Sequence, residues 1–195
     1  MTKLLLDNLD RNNYEIVVVF ANTGKEREET FDFIRKCDEE FGFNTQWAEA
    51  VINPERGAGT RAKLSITILP IAWEKSLKDM IRKYEIPNIA FKHCTRELKI
   101  KPIHSYVKYH LGWKDYYTAI GIRNDETNRV NSDWGKGKII YPLIITSPST
   151  RYDVNKYWIN QTFDLQLKSF EGNCDICYKK SERKICTIAW RRRNT

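Results

Sequence analysis

Long apolar runs are missing: nothing in the 195 residues approaches the ~18 consecutive hydrophobic positions of a membrane span, so no membrane partner is expected. A secretory signal is missing too. The opening MTKLLLDNLD has too short an apolar stretch, interrupted by Asp7 and Asp10, and the expected compartment is the cytoplasm. Cysteines number five, an odd count in a chain without an export signal, which argues against a disulfide framework and for thiols that are buried, metal-bound or catalytic. There is no internal repeat and no low-complexity linker. Gly57-Ala58-Gly59 lacks the Lys-Ser/Thr that would make it a phosphate loop and reads as loop flexibility.

Acidic residues are scarce in one part of the chain only. Residues 1–60 hold 7 Lys/Arg against 12 Asp/Glu, and residues 61–195 hold 26 against 13, so the overall +8 is concentrated in the later part. Such a basic stretch suits a phosphate-rich partner, a nucleotide or a nucleic acid, or consists of solvated Lys and Arg on helix faces. At 23.1 kDa and 41% hydrophobic residues the chain supports one well-buried domain, with residues 1–170 as an α/β core and 171–195 as a cysteine knuckle with a basic tail.

Glu15–Ala21 (EIVVVFA) is the nearly unbroken apolar run of a strand covered on both faces. Asn22-Thr23-Gly24 follows, then a helix over Lys25–Phe41 with Phe31, Ile34, Cys37 and Phe41 at helical spacing and Gly42 as its stop. Asn44–Val51 predicts a strand and Asn53–Thr60 a loop. Helices are expected over Trp73–Tyr84, about Lys101–Leu111, from a Ser149/Thr150 cap to about Asn160, and over Ser181–Ile188. Thr95 can cap a short turn. Further strands are expected at Tyr116–Ile122 and, after a Gly135-Lys136-Gly137 turn, at Lys138–Ile145, where Pro142 demands an edge or a bend. Alternating strands and helices indicate an α/β fold with a mainly parallel sheet flanked by helices. Met1–Leu9 reads as a helix with no strand before it, so the first strand of such a sheet is expected to be absent from this sequence.

Three constellations carry chemistry. Asn22, Thr23 and Gly24 stand where a buried strand opens into a helix, a place where free amides hold a ribose or phosphate, although a plain strand-to-helix turn uses the same residue types. Gly121 to Glu126, with Arg129, follows another strand end, and Arg123 there can take an anion bidentately or pair with Asp125 or Glu126. Cys174-Asp175-Ile176-Cys177 can present two thiolates to one metal, with Cys94, Cys186, His93 and His104 as further ligands, or serve as a redox pair. Cys37 and His110 read as structural. The run Tyr178–Lys184 and Trp190–Arg193 give the last eighteen residues a net +6, which suits RNA or a disordered cationic tail.

Taken in order, VVVFANTGKEREETFDFIRKCDEEFG (Val17–Gly42), CTRELKIKPI (Cys94–Ile103), AIGIRNDETNRV (Ala119–Val130) and GNCDICYKKSERK (Gly172–Lys184) resemble the phosphoadenosine phosphosulfate (PAPS) reductase family of the adenine-nucleotide α-hydrolase (PP-loop) superfamily, its phage-type members above all. The resemblance implies a Rossmann-like sheet that binds an adenine nucleotide, ATP or PAPS, as substrate. Asn22, Thr23, Gly24 and Gly121 would approach the nucleoside. Arg123 and Glu126 would face the anionic end as catalytic groups. Cys94, Cys174, Cys177 and Cys186 would hold a [4Fe–4S] cluster or zinc, and a thiol reductant protein would be a partner.

The chain departs from the family in two places. The family's Ser-Gly-Gly-x-(Asp/Thr)-Ser pyrophosphate loop, expected before the first helix, is not encoded, so weak or no turnover is expected. The Glu-Cys-Gly-Leu-His motif of sulfonucleotide reductases does not follow Ile188. The alternative reading is a noncatalytic nucleic-acid-binding or modification-complex subunit with a structural metal knuckle.

Overall fold

Strands β1 (Val19–Asn22) and β2 (Gln46–Val51) pair in parallel with Val19 opposite Gln46 and Asn22 opposite Glu49. In this computed structural model the described residues are all except Arg56, 65–72, 132–136, Ser169, Asp175, Ile176, Asn194 and Thr195, and the side chains of Trp73, Glu74 and Arg192 are likewise outside the description. The chain divides into two units. One comprises Val19–Arg35, Thr45–Gly112 and Leu165–Thr195, the other Met1–Val18, Lys36–Asn44 and Trp113–Asp164.

The first unit is built on a three-stranded sheet in the order β1-β2-β3, and β3 (Arg61–Leu64) runs antiparallel to β2. This sheet is therefore mixed. The strand expected from Glu15 begins pairing only at Val19, because β2 starts opposite that residue. Phe20, Phe31 and Trp47 meet as an aromatic cluster, Phe20 and Trp47 edge to face with centroids 5.0 Å apart, and this joins β1 and β2 to the start of helix α2 (Glu28–Phe41). Helix α3 (Trp73–Tyr84), with the bounds its apolar spacing predicts, lays Leu77, Met80, Ile81 and Tyr84 against Ala50, Ile52 and Leu98. Met80 and Leu98 are fully enclosed, each worth roughly 1.5–3 kcal/mol relative to exposure.

Helix α4 (His93–Thr95), a π-helical turn (Arg96–Ile100) and helix α5 (Lys101–Tyr109) form one continuous helical stretch, so Thr95 lies inside a helix and does not cap a separate turn. Ser105 on α5 accepts from the Ala62 amide of β3 at 3.0 Å. The Asn53–Thr60 loop is pinned: the Lys83 ammonium donates to the carbonyls of Asn53, Glu55 and Ala58 at 2.6 to 2.8 Å. Helix α8 (Glu182–Arg193) belongs to the same unit and runs beyond the expected Ile188.

The second unit contains helix α1 (Thr2–Asn8) and a short parallel pair, β4 (Thr118–Ala119) and β5 (Ile139–Ile140). The strand expected over Lys138–Ile145 is cut to two ladder residues, because Pro142 has no amide to donate and instead opens helix α6 (Pro142–Ile145). The Gly135-Lys136 part of the expected turn lies outside the described residues. Helix α7 (Arg151–Ile159) begins at the expected Thr150, whose hydroxyl and amide both engage the Asp153 carboxylate in a capping box. Phe41, Phe43, Trp158 and Phe163 pack together in this unit, and Cys37 is buried there, its thiol pushed up to about 11 by burial and by the charge of Asp38. Both units are mixed α/β structures with small sheets and accompanying helices.

Candidate functional site

At the carboxyl end of β1 the chain turns sharply. Asn22 Oδ1 accepts from the Gly24 amide at 3.0 Å, and Gly24 adopts φ 79°, which an L side chain takes only with strain. Asn22 Nδ2 reaches across the ladder to Glu49 Oε1 at 3.2 Å. Both Asn22 and Thr23 are buried. The Thr23 amide, at 2.9 Å, and the Lys25 amide, at 3.3 Å, donate to Glu26 Oε2, and the Thr23 hydroxyl donates to Glu26 Oε1 at 2.6 Å. Two amides and a hydroxyl thus converge on a negatively charged group, and that group is the chain's own Glu26, a buried carboxylate.

Residues 165–195 of the same unit reach this loop through an ion pair between Arg27 and Glu171 at 3.3 Å. Just beyond it stands Cys174, half-buried, its thiol pushed up to about 11. Burial is the main cause; the charges of Cys177, Glu26 and Cys94 push the same way and Lys99 opposes them. Tyr178 is shifted upward by burial and then by Cys94 and Cys177. Three of the four expected cysteines, Cys94, Cys174 and Cys177, therefore lie within electrostatic reach of one another and of Glu26. Cys94 packs on the core formed by Ala50, Ile52, Met80 and Leu98, whereas Cys186 is exposed on α8 and is not among the groups that shift Cys174. Asp175 and Ile176, the middle of the expected knuckle, lie outside the described residues.

Among the described residues no three His, Cys, Asp or Glu side chains converge on a position for one ion. At neutral pH Cys174 is a protonated thiol. A hydrogen bond with Thr95 opposes the upward shift of Tyr178.

Arg123 and Glu126 belong to the other unit, as does Gly121, where a Cβ would stand 3.5 Å from the Met1 side chain. The Arg123 fork is engaged: Nε donates to Asp125 Oδ1 at 2.9 Å and Nη1 faces Glu126 Oε2 at 3.3 Å. Glu126 is shared with Arg129 at 2.6 Å. The hydrogen bond from Arg123, joined by the Arg151 amide, holds the Asp125 carboxyl below its usual range against a small opposing effect of burial. Of the two uses the sequence allowed for this guanidinium, pairing with its neighbouring carboxylates is the one in place.

Sequence reasoning missed Glu97. It sits in the π-helical turn with no exposed surface and gathers Arg96 Nε at 2.7 Å, Lys101 Nζ at 2.7 Å and a very short hydrogen bond from the Thr60 hydroxyl. The Glu97–Lys101 spacing of four was a signal, yet the same spacing fits an exposed helix face, and the π turn that swings Glu97 inward has no signature in apolar periodicity.

No family model matches the chain, and no solved structure matches it. Among curated proteins it is similar to an uncharacterized nin region protein, ORF290, of Escherichia phage lambda, with 33% identity over 186 residues; the match covers 93% of this chain and 62% of that relative, so the chain spans less than two thirds of the relative's length.

Proposed function

We propose that this chain is a PAPS reductase-like, adenine-nucleotide-binding protein with Rossmann-like topology, acting at a nucleotide phosphate or sulfate group or in sulfur transfer. One observation carries the reading: the β1 loop grips the Glu26 carboxylate, and Glu26 lies near enough to Cys174 for its charge to favour the protonated thiol. Strand ends that open into helices are the common ligand position of open α/β sheets, and sulfur nucleophiles placed beside one suit chemistry on the bound ligand.

In this reading Asn22, Thr23 and Gly24 contact the nucleoside, and its anionic part competes with Glu26 for the loop amides. Cys174, Cys177 and Cys94 supply the sulfur chemistry. Cys174 enters as a thiol, held protonated chiefly by burial, and becomes reactive when a nearby cation stabilises the thiolate. Lys99 is the charge already acting in that direction. A thiol-containing protein reductant is the proposed partner. The phage relative is longer than this chain, and the activity of any longer form is part of the same proposal.

The test is thiol footprinting. Iodoacetamide labelling at pH 7.5, read residue by residue by mass spectrometry, is expected to modify exposed Cys186 well before Cys174. Saturating ATP or PAPS is expected to change the Cys174 rate severalfold while leaving Cys186 unchanged. Equal Cys174 rates with and without both nucleotides would remove the link between loop and thiol.

A further inference from the structure

Helix α8 carries positive charge where helix stability does not favour it. Cations complement the macrodipole in a last turn, as Arg191 and Arg193 do here, but they oppose it in a first turn, and Arg183 and Lys184 occupy the first turn. Among the described residues neither of these two, nor Arg193 or Lys179, faces a carboxylate partner. All four are exposed. Exposed cations of one sign on a helix attract anions from solution.

The helix is anchored along one side. Ile188 is buried and Ile185, three residues earlier, is half-buried. The outward face collects Arg183, Thr187, Trp190 and Arg191, which recur at i, i+4, i+7 and i+8, and Lys184 lies one heptad before Arg191. Trp190 is 67% exposed, with Arg191 beside it in sequence. Arg191 is held in place, its guanidinium 4.8 Å from the centre of the Phe170 ring.

We propose that this face of α8 binds single-stranded nucleic acid, with Arg183, Lys184 and Arg193 tracking phosphates and Trp190 stacking on an unpaired base. Exposed rings flanked by cations bind unstacked bases because every base offers a π-face, whereas a duplex keeps those faces covered. A purely electrostatic patch would have no use for the ring. The site is independent of the nucleotide reading above: it shares no residue with the β1 loop, and ATP is not expected to compete for it.

The experiment is fluorescence anisotropy of a labelled 20-nucleotide mixed-sequence single strand titrated with the full chain at 50 and 200 mM salt. Binding is expected at low salt and is expected to fall steeply at high salt. Arg183→Ala/Lys184→Ala is expected to flatten the dependence of log K on log salt by about 0.7 per lost phosphate contact. Trp190→Ala is expected to weaken single-strand binding by about 5- to 150-fold, with little effect on a duplex of the same length. All three positions are exposed, and circular dichroism confirms that each variant is folded. Tighter binding to duplex than to single strand, salt-insensitive binding, capture by anionic phosphatidylserine vesicles with none by oligonucleotide, or affinity indifferent to both variants would each overturn the proposal.

Discussion

Glu97 shows what a single enclosed charge does in this fold. Burial alone would raise its pKa, but donation from Lys101, Thr60 and Arg96 outweighs that, and the carboxyl titrates below its ordinary value. A depressed acid contributes stability that is fully present above the unfolded-state value of about 4.3 and is lost as pH falls through the folded value. Glu97→Gln is therefore expected to destabilise the chain at pH 7 and to converge with the parent as pH drops below 4. Glu97→Ala should cost roughly 3 kcal/mol, at the low end for a broken buried pair, because Arg96 and Lys101 can turn to water. Urea midpoints at several pH values test this, and a constant difference between parent and Glu97→Gln across that range would refute it. Asn22, Thr23 and Gly24 could be singled out in the sequence by residue type beside a strand end, and Cys174 and Cys177 by their spacing. It did not display the roles of Glu26 and Glu97, which depend on which way a loop and a π turn point a carboxylate.

At the level of elements, the helices with a full apolar stripe were the legible ones. Trp73–Tyr84 has the bounds its periodicity predicts, and the Thr150 cap begins α7 as expected. Strands were harder, because their extent is set by partners that lie far away in sequence. β1 is shortened by where β2 begins, β5 is ended by Pro142, and β3 is a four-residue edge whose weak alternation gave no signal. The cap gives a clean local test. Thr150→Ala removes the hydroxyl that accepts from the Asp153 amide and donates to its carboxylate, and the expected loss is about 1 kcal/mol in urea unfolding. A change below a few tenths would mean that α7 does not depend on its capping box.

Over the whole molecule, the charge asymmetry visible in the composition acquires locations. The acid-rich early residues include Glu26, which fills the β1 loop, and the basic later residues include the exposed cations of α8. The mixed α/β class was readable from alternating strands and helices. The antiparallel β3 was not, because pairing direction is a property of topology and leaves no mark on a short strand. The expected nucleotide site also remains divided by sequence region: Asn22, Thr23 and Gly24 belong to one unit, and Gly121, Arg123 and Glu126 to the other. Nucleotide entry into the β1 loop, as proposed, is read by calorimetric titration of the folded chain with ATP and with PAPS. Saturable one-site binding is predicted for at least one of them, abolished in Gly24→Val, whose β-branched side chain cannot take φ 79° without strain, and retained in Arg183→Ala/Lys184→Ala. No heat from either nucleotide at millimolar concentration, or equal binding by a folded Gly24→Val chain, would contradict the account.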